Sequence, residues 1–472
     1  MKMVNSDFLS EAILRQDSGG APPDYLNRES FHTSLLRKLD LLPNGSTASL
    51  EGAWGSGKTF SLCHIYHAVG ASQSDSFYPE PVWLNPWQYG QPDLLTPLVL
   101  AISDRLPQSA WKERPELLKR AVGTLIRAGA TLAQKTAMYF SAANGDAATT
   151  DFLSVSSPVA LTALDGFLSS LELPSQQREK DKVDFDPVSK MSIRFNELLT
   201  QLLELKKSEA GSQRLLVCID DLDRCLPDRQ AAFLEAVRFL SAANAPVVFL
   251  YAIDASLVSD AISNRYNSPN FDASLYLDKI FTLRIRLQTP TDKETRTLIA
   301  GTMSTITHAS NGSLADLVQK HLCPEFDRFT QLAPLVWSSP SLRNPRVINR
   351  ILLRLFLFLT TDSPSIALPN DTAIRLFLSW IGIIDRWPSV RSALAKQSLS
   401  QAEHFWEQLC DHIAGGGAGG NRSISLARVP LSGELLSQIE ALVELAKAAG
   451  LTTGELAHTL QLYSNHLAAA GL

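Results

Sequence analysis

The sequence predicts an α/β fold in which helices cover both faces of a parallel sheet, followed by helical domains. Short apolar runs that end in turn or acidic residues recur at 47–52, 81–85, 214–220, 247–254 and 280–287. Helical patterns separate these runs, and strands that alternate with helices are typical of βαβ units. After Pro290 the pattern becomes wholly helical. We therefore predict a five-stranded parallel sheet flanked by helices, with all-helical C-terminal domains.

The chain is long enough for two or three domains, since it has 472 residues. We predict a core at 1–290, a helical lid at 291–365 and a C-terminal helical domain at 366–472. Within the core, the second and third predicted strands are separated by far more than a usual crossover connection. This spacing predicts an inserted helical segment at about 100–190, in a stretch that becomes rich in Ala, Ser and Thr.

The composition excludes several classes of protein. Hydrophobic residues make up 45% and charged residues 19%, which is ordinary for a folded soluble protein. A net charge of −5 argues against a surface that coats nucleic acid, although a local basic patch stays an open alternative. The five cysteines have no paired spacing, as is typical of reduced thiols. Since we find neither a signal-peptide core nor about 18 uninterrupted apolar residues, we predict a cytoplasmic protein without an integral membrane segment.

The stretch GAWGSGKTF, at 52–60, has the P-loop spacing G-x-x-x-x-G-K-[ST] and lies between a predicted strand and a predicted helix. Its glycines let backbone N–H groups surround a phosphate, and the helix N-terminus adds positive potential. Lys58 would reach the β- and γ-phosphates, and the Thr59 hydroxyl would bind Mg²⁺. A tight turn with a chance lysine is the alternative. The predicted nucleotide contacts of this stretch are Gly52, Trp54, Gly55, Ser56, Gly57, Lys58, Thr59 and Phe60.

A cluster of acids follows the third predicted strand, in RLLVCIDDLDRC at 214–225. Asp220 would emerge at the carboxyl end of this buried strand, where ligands bind in open α/β sheets, and we predict that it is the carboxylate linked to Mg²⁺. Asp221 could polarise the attacking water as a general base. Asp223 and Arg224 extend the cluster as metal-shell or interface groups. For the acids after Asp220, the alternative is a solvated turn and helix N-cap.

Two further residues are candidates for the same site. Asp254 ends the predicted strand at 247–254 and could orient the hydrolytic water, or it could equally well cap the next helix. Arg346 and Arg350 are four residues apart on one predicted helix face. An arginine from a helical lid that touches the γ-phosphate would couple the nucleotide state to domain closure. The alternative for Arg346 is a solvated or domain-interface charge.

Together these motifs resemble the KAP family of P-loop NTPases, a branch of the additional-strand class. The similarity rests on the Trp-Gly pair inside GAWGSGKT, and on WLNPWQY, IDDLDRC, YLDKIF and NPRVINR, and it covers roughly residues 24 to 360. Upstream, DYLNRESF is similar to a segment that lies against the adenine in related ATPases. The resemblance thus implies ATP as the nucleotide, with contacts from Asn27 and Arg28.

Many members of this family carry membrane helices between the P-loop and the acidic strand. Here Arg120, Arg127 and Lys135 interrupt the apolar stretches of that region, which indicates a soluble member. Soluble prokaryotic members resemble components of anti-phage defence systems, the Qat system among them. The resemblance therefore implies protein partners in a defence complex, self-association, or both.

The sequence as a whole predicts a Mg²⁺-dependent ATPase that acts as a nucleotide-driven conformational switch. Thr59 and Asp220 are the predicted metal ligands. The predicted catalytic residues are Lys58, Asp221, Arg346 and Asp254. One alternative is a weakly hydrolysing scaffold, because Asp221 stands where rapid ATPases commonly have glutamate. Another is a nucleic-acid remodelling subunit that uses a short basic stripe formed by Arg343, Arg346, Arg350 and Arg354.

Overall fold

The structure is a computed structural model of the 472-residue chain. It describes residues 21–88, 98, 101, 200, 214–241, 245–266, 271–309, 318–320, 322, 326–337, 342–360, 366, 368–394, 398–414, 425–426, 429–430 and 433–469. Apart from Ala101, the predicted insertion at about 100–190 lies outside these residues. The chain divides into two compact units, Glu29–Leu287 and Pro23–Arg28 with Gln288–Leu472. The finer division into three domains stays a prediction.

The first unit contains the predicted parallel sheet of five strands. The strands are β1 (Ser46–Glu51), β2 (Val82–Leu84), β3 (Leu215–Ile219), β4 (Val247–Ile253) and β5 (Leu283–Arg286). Their order is β2-β3-β4-β1-β5, and every neighbouring pair is parallel. Strand β4 therefore lies between β1, which leads into the P-loop, and β3, which leads into the acidic cluster. The predicted fold class is confirmed. The additional strand of the class that the sequence resembles is also confirmed, as β4 between β1 and β3.

Helices cover both faces of this sheet. They are α1 (Glu29–Asp40), α2 (Lys58–Gly70), α3 (Pro227–Ser241), α4 (Ala255–Tyr266) and α5 (Ala273–Ile280). Alternate residues of β3 join different hydrophobic clusters, because successive side chains of a strand point to opposite faces. Leu215, Val217 and Ile219 pack in the cluster that includes α3, α4 and α5. Leu216 and Cys218 pack in the cluster that includes α1 and α2.

The described residues of the second unit form helices and one short antiparallel hairpin. Its helices are α6 (Asp292–Ala309), α7 (Phe326–Val336), α8 (Pro345–Thr360), α9 (Asp371–Arg386), α10 (Pro388–Leu394), α11 (Leu399–Ala414), α12 (Gly433–Ala448) and α13 (Thr453–Ala469). The hairpin consists of β6 (Ser425–Leu426) and β7 (Val429–Pro430). Helix α9 is central to one hydrophobic cluster, and two buried indoles anchor it. Trp337 Nε1 donates to the carbonyl of Leu378, and Trp380 Nε1 donates to Ser464 Oγ, each at 3.0 Å.

Helices α8 and α9 of this unit are joined by ion pairs. Arg350 Nε lies 2.8 Å from Asp385 Oδ2, and Arg354 Nη1 lies 2.7 Å from Asp385 Oδ1. The Asp385 side chain is fully buried. Two members of the predicted basic stripe thus neutralise a carboxylate inside their own unit. Among the described helices, none has both the length and the apolarity needed to cross a membrane.

Candidate active site

A glycine-rich loop, residues 52–57, joins β1 to α2 at the carboxyl edge of the sheet. Gly55 and Gly57 have φ angles of 83° and 97°, in the left-handed region that favours glycine. Gly57 immediately precedes Lys58, the first residue of α2. A Cβ on Gly52 would lie 2.6 Å from Ser56 Oγ, so the loop closes tightly on itself. Such a loop can bring backbone N–H groups and a helix N-terminus close to an anion.

Lys58 lies over this loop, and its side chain is buried. Its Nζ donates to the carbonyl oxygens of Gly52, at 2.8 Å, and of Ala53, at 3.3 Å. The same nitrogen lies 3.7 Å from Asp223 Oδ2. The ammonium group therefore stands between the P-loop and the acidic loop after β3, where it can meet a bound phosphate.

The two predicted metal ligands lie side by side. Thr59 Oγ1 donates to Asp220 Oδ1 at 3.2 Å, although the two residues belong to α2 and to the end of β3. Hydroxyl and carboxylate oxygens are the hard ligands that Mg²⁺ prefers. In the described part of the chain, no group of three or more His, Cys, Asp or Glu could hold a metal ion. Thr59 and Asp220 thus fit Mg²⁺ that takes its other ligands from phosphate and water, as Mg²⁺ commonly does.

Asp221 is buried and its carboxylate is held by two donors. Its φ of 58° is in the left-handed region, which aspartate tolerates better than most residues. Asn85 Nδ2 donates to Asp221 Oδ2 at 2.7 Å, and Arg224 Nε lies 2.9 Å from Asp221 Oδ1. These contacts fix the direction of the carboxylate. The predicted role of Asp221 as general base is untested by this geometry and stays a prediction.

Arg224 in turn lies between two exposed indoles. Its guanidinium carbon is 5.7 Å from the ring centroid of Trp54, in the P-loop, and 5.4 Å from that of Trp87, after β2. The exposed fractions of the two tryptophans are 62% and 55%. Cation–π attraction at these distances orients the guanidinium that holds Asp221. The predicted nucleotide contact of Trp54 stays a prediction.

Asp223 lies closer to the centre of the site than the sequence suggests. Its Oδ2 accepts the backbone N–H of Asp254 at 2.9 Å, in addition to the ion pair with Lys58. Burial raises the pKa of Asp223, and the positive charge of Lys58 and the Asp254 hydrogen bond partly oppose this effect. The residue thus connects the P-loop lysine with the end of β4.

The Asp254 side chain is engaged at the start of α4. Its Oδ1 accepts hydrogen bonds from the N–H of Ser256, at 3.2 Å, and from Ser256 Oγ, at 2.6 Å. From the sequence, helix capping and water orientation are equal alternatives for Asp254. The contacts with Ser256 are the capping arrangement. The water-orienting role stays a prediction.

Phe60, on α2, packs against the ring of His64 with centroids 4.5 Å apart.

Three predicted nucleotide-site residues, Asn27, Arg28 and Arg346, belong to the helical unit. Asn27 has a φ of 56°, and the buried Arg28 donates through Nη2 to the carbonyl of Gln288 at 2.9 Å. Arg346 is exposed in the first turn of α8. Its backbone N–H donates to Asn344 Oδ1 at 3.0 Å. Contacts of Asn27, Arg28 and Arg346 with a nucleotide stay predictions.

The sequence patterns predict no role for Asn85, and they predict only a secondary one for Asp223. A signal for Asn85 was present, because it directly follows β2 at the edge of the sheet where ligands bind. For Asp223 no comparable signal exists. Its position depends on the turn after β3, which no periodic pattern describes.

Comparison with known proteins adds a family assignment to this geometry. A family model described as the KAP family P-loop domain matches residues 28–360, well over half of the chain. The matched range contains the P-loop, the acidic loop after β3, Asp254 and Arg346. None of the curated proteins compared with the chain matches it.

Proposed function

The chain belongs to the KAP family of P-loop NTPases, a family of nucleotide-binding proteins, and on this basis we propose that it hydrolyses ATP with Mg²⁺. The observation that carries the proposal is the contact between Thr59 Oγ1 and Asp220 Oδ1 beside Lys58. A threonine hydroxyl beside a carboxylate can hold Mg²⁺ against the phosphates of a nucleotide, and hydrolysis at a P-loop requires that Mg²⁺.

In the proposed reaction, the protein acts by positioning and by electrostatic stabilisation. Backbone N–H groups of residues 52–57 and the N-terminus of α2 hold the phosphates, and Lys58 binds the β- and γ-phosphates. Bound between Thr59 and Asp220, Mg²⁺ would neutralise the charge that develops on the phosphate oxygens. The water-activating acid lies in the loop after β3, where Asp221 is the candidate from the sequence. Arg346 is the proposed sensor of the γ-phosphate.

The proposal extends to the biological role. Hydrolysis would switch the arrangement of the sheet unit and the helical unit, and so change what the protein binds. We propose a cytoplasmic protein that works with protein partners or with further copies of itself. A place in an anti-phage defence complex, such as the Qat system, is supported by the family resemblance alone.

A weakly hydrolysing scaffold is the second candidate, and one observation favours it. Both carboxylate oxygens of Asp221 are engaged, by Asn85 and by Arg224. If Asp221 is the general base, these two donors compete with the attacking water for its lone pairs. A protein in this state would bind ATP tightly and turn it over slowly.

The nucleic-acid alternative has less support. Arg343 Nη2 lies 2.6 Å from Asp292 Oδ1, and Arg350 and Arg354 bind Asp385. Three of the four arginines in the predicted basic stripe therefore have carboxylate partners in their own unit. A paired arginine contributes less to phosphate binding, because its charge is already compensated.

The test of the proposed function compares the wild type with Lys58→Ala. A fluorescent ATP analogue measures affinity, and phosphate release is measured under steady-state and single-turnover conditions, with Mg²⁺ or with EDTA. We expect Lys58→Ala to weaken the affinity at least about tenfold and to reduce hydrolysis to background, because the variant loses its phosphate-binding charge. EDTA should stop hydrolysis by the wild type.

Asp371→Asn, on the surface of the helical unit, serves as the control and should behave as the wild type does. If a folded Lys58→Ala variant hydrolysed ATP at the wild-type rate, the assignment of the P-loop as the active site would be refuted. If the wild type binds the ATP analogue tightly without turnover, the result would favour the weakly hydrolysing scaffold.

A further inference from the structure

The two acids after Asp220 differ in what their carboxylates contact. Asp221 uses both oxygens, one for Asn85 and one for Arg224. Asp223 uses only Oδ2, for the N–H of Asp254 and for Lys58 Nζ. Among the described residues, nothing donates a hydrogen bond or forms an ion pair to Asp223 Oδ1. Asp223 is therefore an aligned carboxylate with one oxygen available.

The position of Asp223 follows from its contacts. A P-loop lysine reaches the β- and γ-phosphates, so Lys58 Nζ marks where the terminal phosphate of a bound nucleotide lies. Asp223 Oδ2 is 3.7 Å from that nitrogen. The Asp223 side chain keeps an exposed fraction of 11%, so solvent reaches part of it. The backbone N–H of Asp254, at the end of β4, fixes the orientation of the Asp223 carboxylate. A substitution of the Asp254 side chain would not remove this hydrogen bond.

We propose that Asp223 is the catalytic residue that accepts the proton of the attacking water, and that Asp221 orients the loop through Asn85 and Arg224. This inference rests on the proposed ATPase function and deepens it. Burial supports it, because a carboxylate with a raised pKa is a stronger proton acceptor than an ordinary aspartate. The positive charge of Lys58 partly opposes this rise in the pKa of Asp223.

In the step itself, the water oxygen forms a bond to the γ-phosphorus of ATP. The bond from that phosphorus to the β–γ bridging oxygen breaks, and its electron pair stays on ADP. One proton of the water passes to Asp223 Oδ1, which later returns it to the phosphate product or to solvent. No oxidant or reductant is needed, and Lys58 stabilises the charge that develops. Thr59 and Asp220 would hold the Mg²⁺ that supplies further charge neutralisation.

A purely structural role for Asp223 makes a different prediction. If the carboxylate only holds Lys58 in place, its removal would change how tightly ATP binds and would leave the chemistry of bound ATP largely unchanged. If Asp223 accepts the proton, ATP affinity would change little and the chemical step would slow. The affinity and the single-turnover rate therefore separate the two roles.

The experiment uses the whole 472-residue chain and the matched pair Asp223→Asn and Asp221→Asn. Each variant is checked by thermal unfolding, by its affinity for the fluorescent ATP analogue, and by single-turnover hydrolysis with saturating Mg²⁺. We expect Asp223→Asn to bind the analogue within about threefold of the wild type and to hydrolyse ATP at least about 100-fold more slowly, as is typical when a general base is lost. Asp221→Asn should keep more activity than Asp223→Asn.

Several results would overturn the inference. One is an Asp223→Asn variant that hydrolyses ATP at close to the wild-type rate. Another is a variant that loses ATP binding, since Asp223 would then act through Lys58. A larger loss in Asp221→Asn than in Asp223→Asn would return the base role to Asp221. A wild type that binds ATP without turnover would refute the proposed hydrolysis itself and this inference with it, so the two failures are distinguishable.

Discussion

Replacing Asp385 with asparagine should destabilise the helical unit strongly. The carboxylate is fully buried at the end of α9 and receives Arg350 Nε, at 3.0 and 2.8 Å, and Arg354 Nη1, at 2.7 Å. Asp385→Asn keeps the shape of the side chain but removes its charge. Two guanidinium groups then lose their counter-ion, and an amide NH₂ faces them.

The expected magnitude follows from burial. Removing one partner of a buried ion pair costs about 3–5 kcal/mol. The exposed fractions of the Arg350 and Arg354 side chains are 42% and 29%, so both can recover part of their hydration. We therefore expect the lower end of that range, about 3 kcal/mol in the free energy of unfolding.

A matched control lies on the same helix. Asp371, in the first turn of α9, also binds an arginine, Arg328, but both side chains are exposed. Exposed pairs contribute little, because water screens them and the long side chains lose entropy. Denaturant unfolding of Asp385→Asn and Asp371→Asn, followed by far-UV circular dichroism, compares the two sites. Equal shifts of the unfolding midpoint would refute the argument from burial.

Further predictions concern the P-loop and its helix. Gly52→Ala should lower ATP affinity about threefold, because its Cβ would lie 2.6 Å from Ser56 Oγ and the Ser56 side chain would have to rotate within the P-loop to make room. Gly433→Ala, where a Cβ meets nothing within 4 Å, should leave the affinity unchanged, and equal effects in a nucleotide titration would contradict the steric reasoning. Thr59→Ala should raise the Mg²⁺ concentration needed for half-maximal hydrolysis at least about tenfold, and an unchanged Mg²⁺ titration would remove Thr59 from the metal site. Burial raises the pKa of Cys63 to about 12, so iodoacetamide at about pH 8 should modify Cys63 only after denaturation, as peptide mass mapping can check. Rapid modification of Cys63 in the native protein would contradict this burial.

The sequence by itself determined the sheet, the P-loop and the position of Asp220. These features depend on local patterns: alternate β3 residues face opposite clusters, and Gly55 and Gly57 occupy turn positions that other residues avoid. The pairing of Thr59 with Asp220 was predictable as well, because carboxyl ends of parallel strands meet at one edge of the sheet.

Only the tertiary structure decided which way each acid faces. Beyond the end of β3 no periodicity fixes the direction of a side chain, and the left-handed backbone of Asp221 turns the chain there. Asp221 is held by Asn85, which is 136 positions away in the chain, while Asp223 meets Lys58 and the backbone of Asp254. Such contacts arise from packing between distant segments. A sequence pattern identifies the residues that make such contacts, but only the folded structure shows which residues they contact.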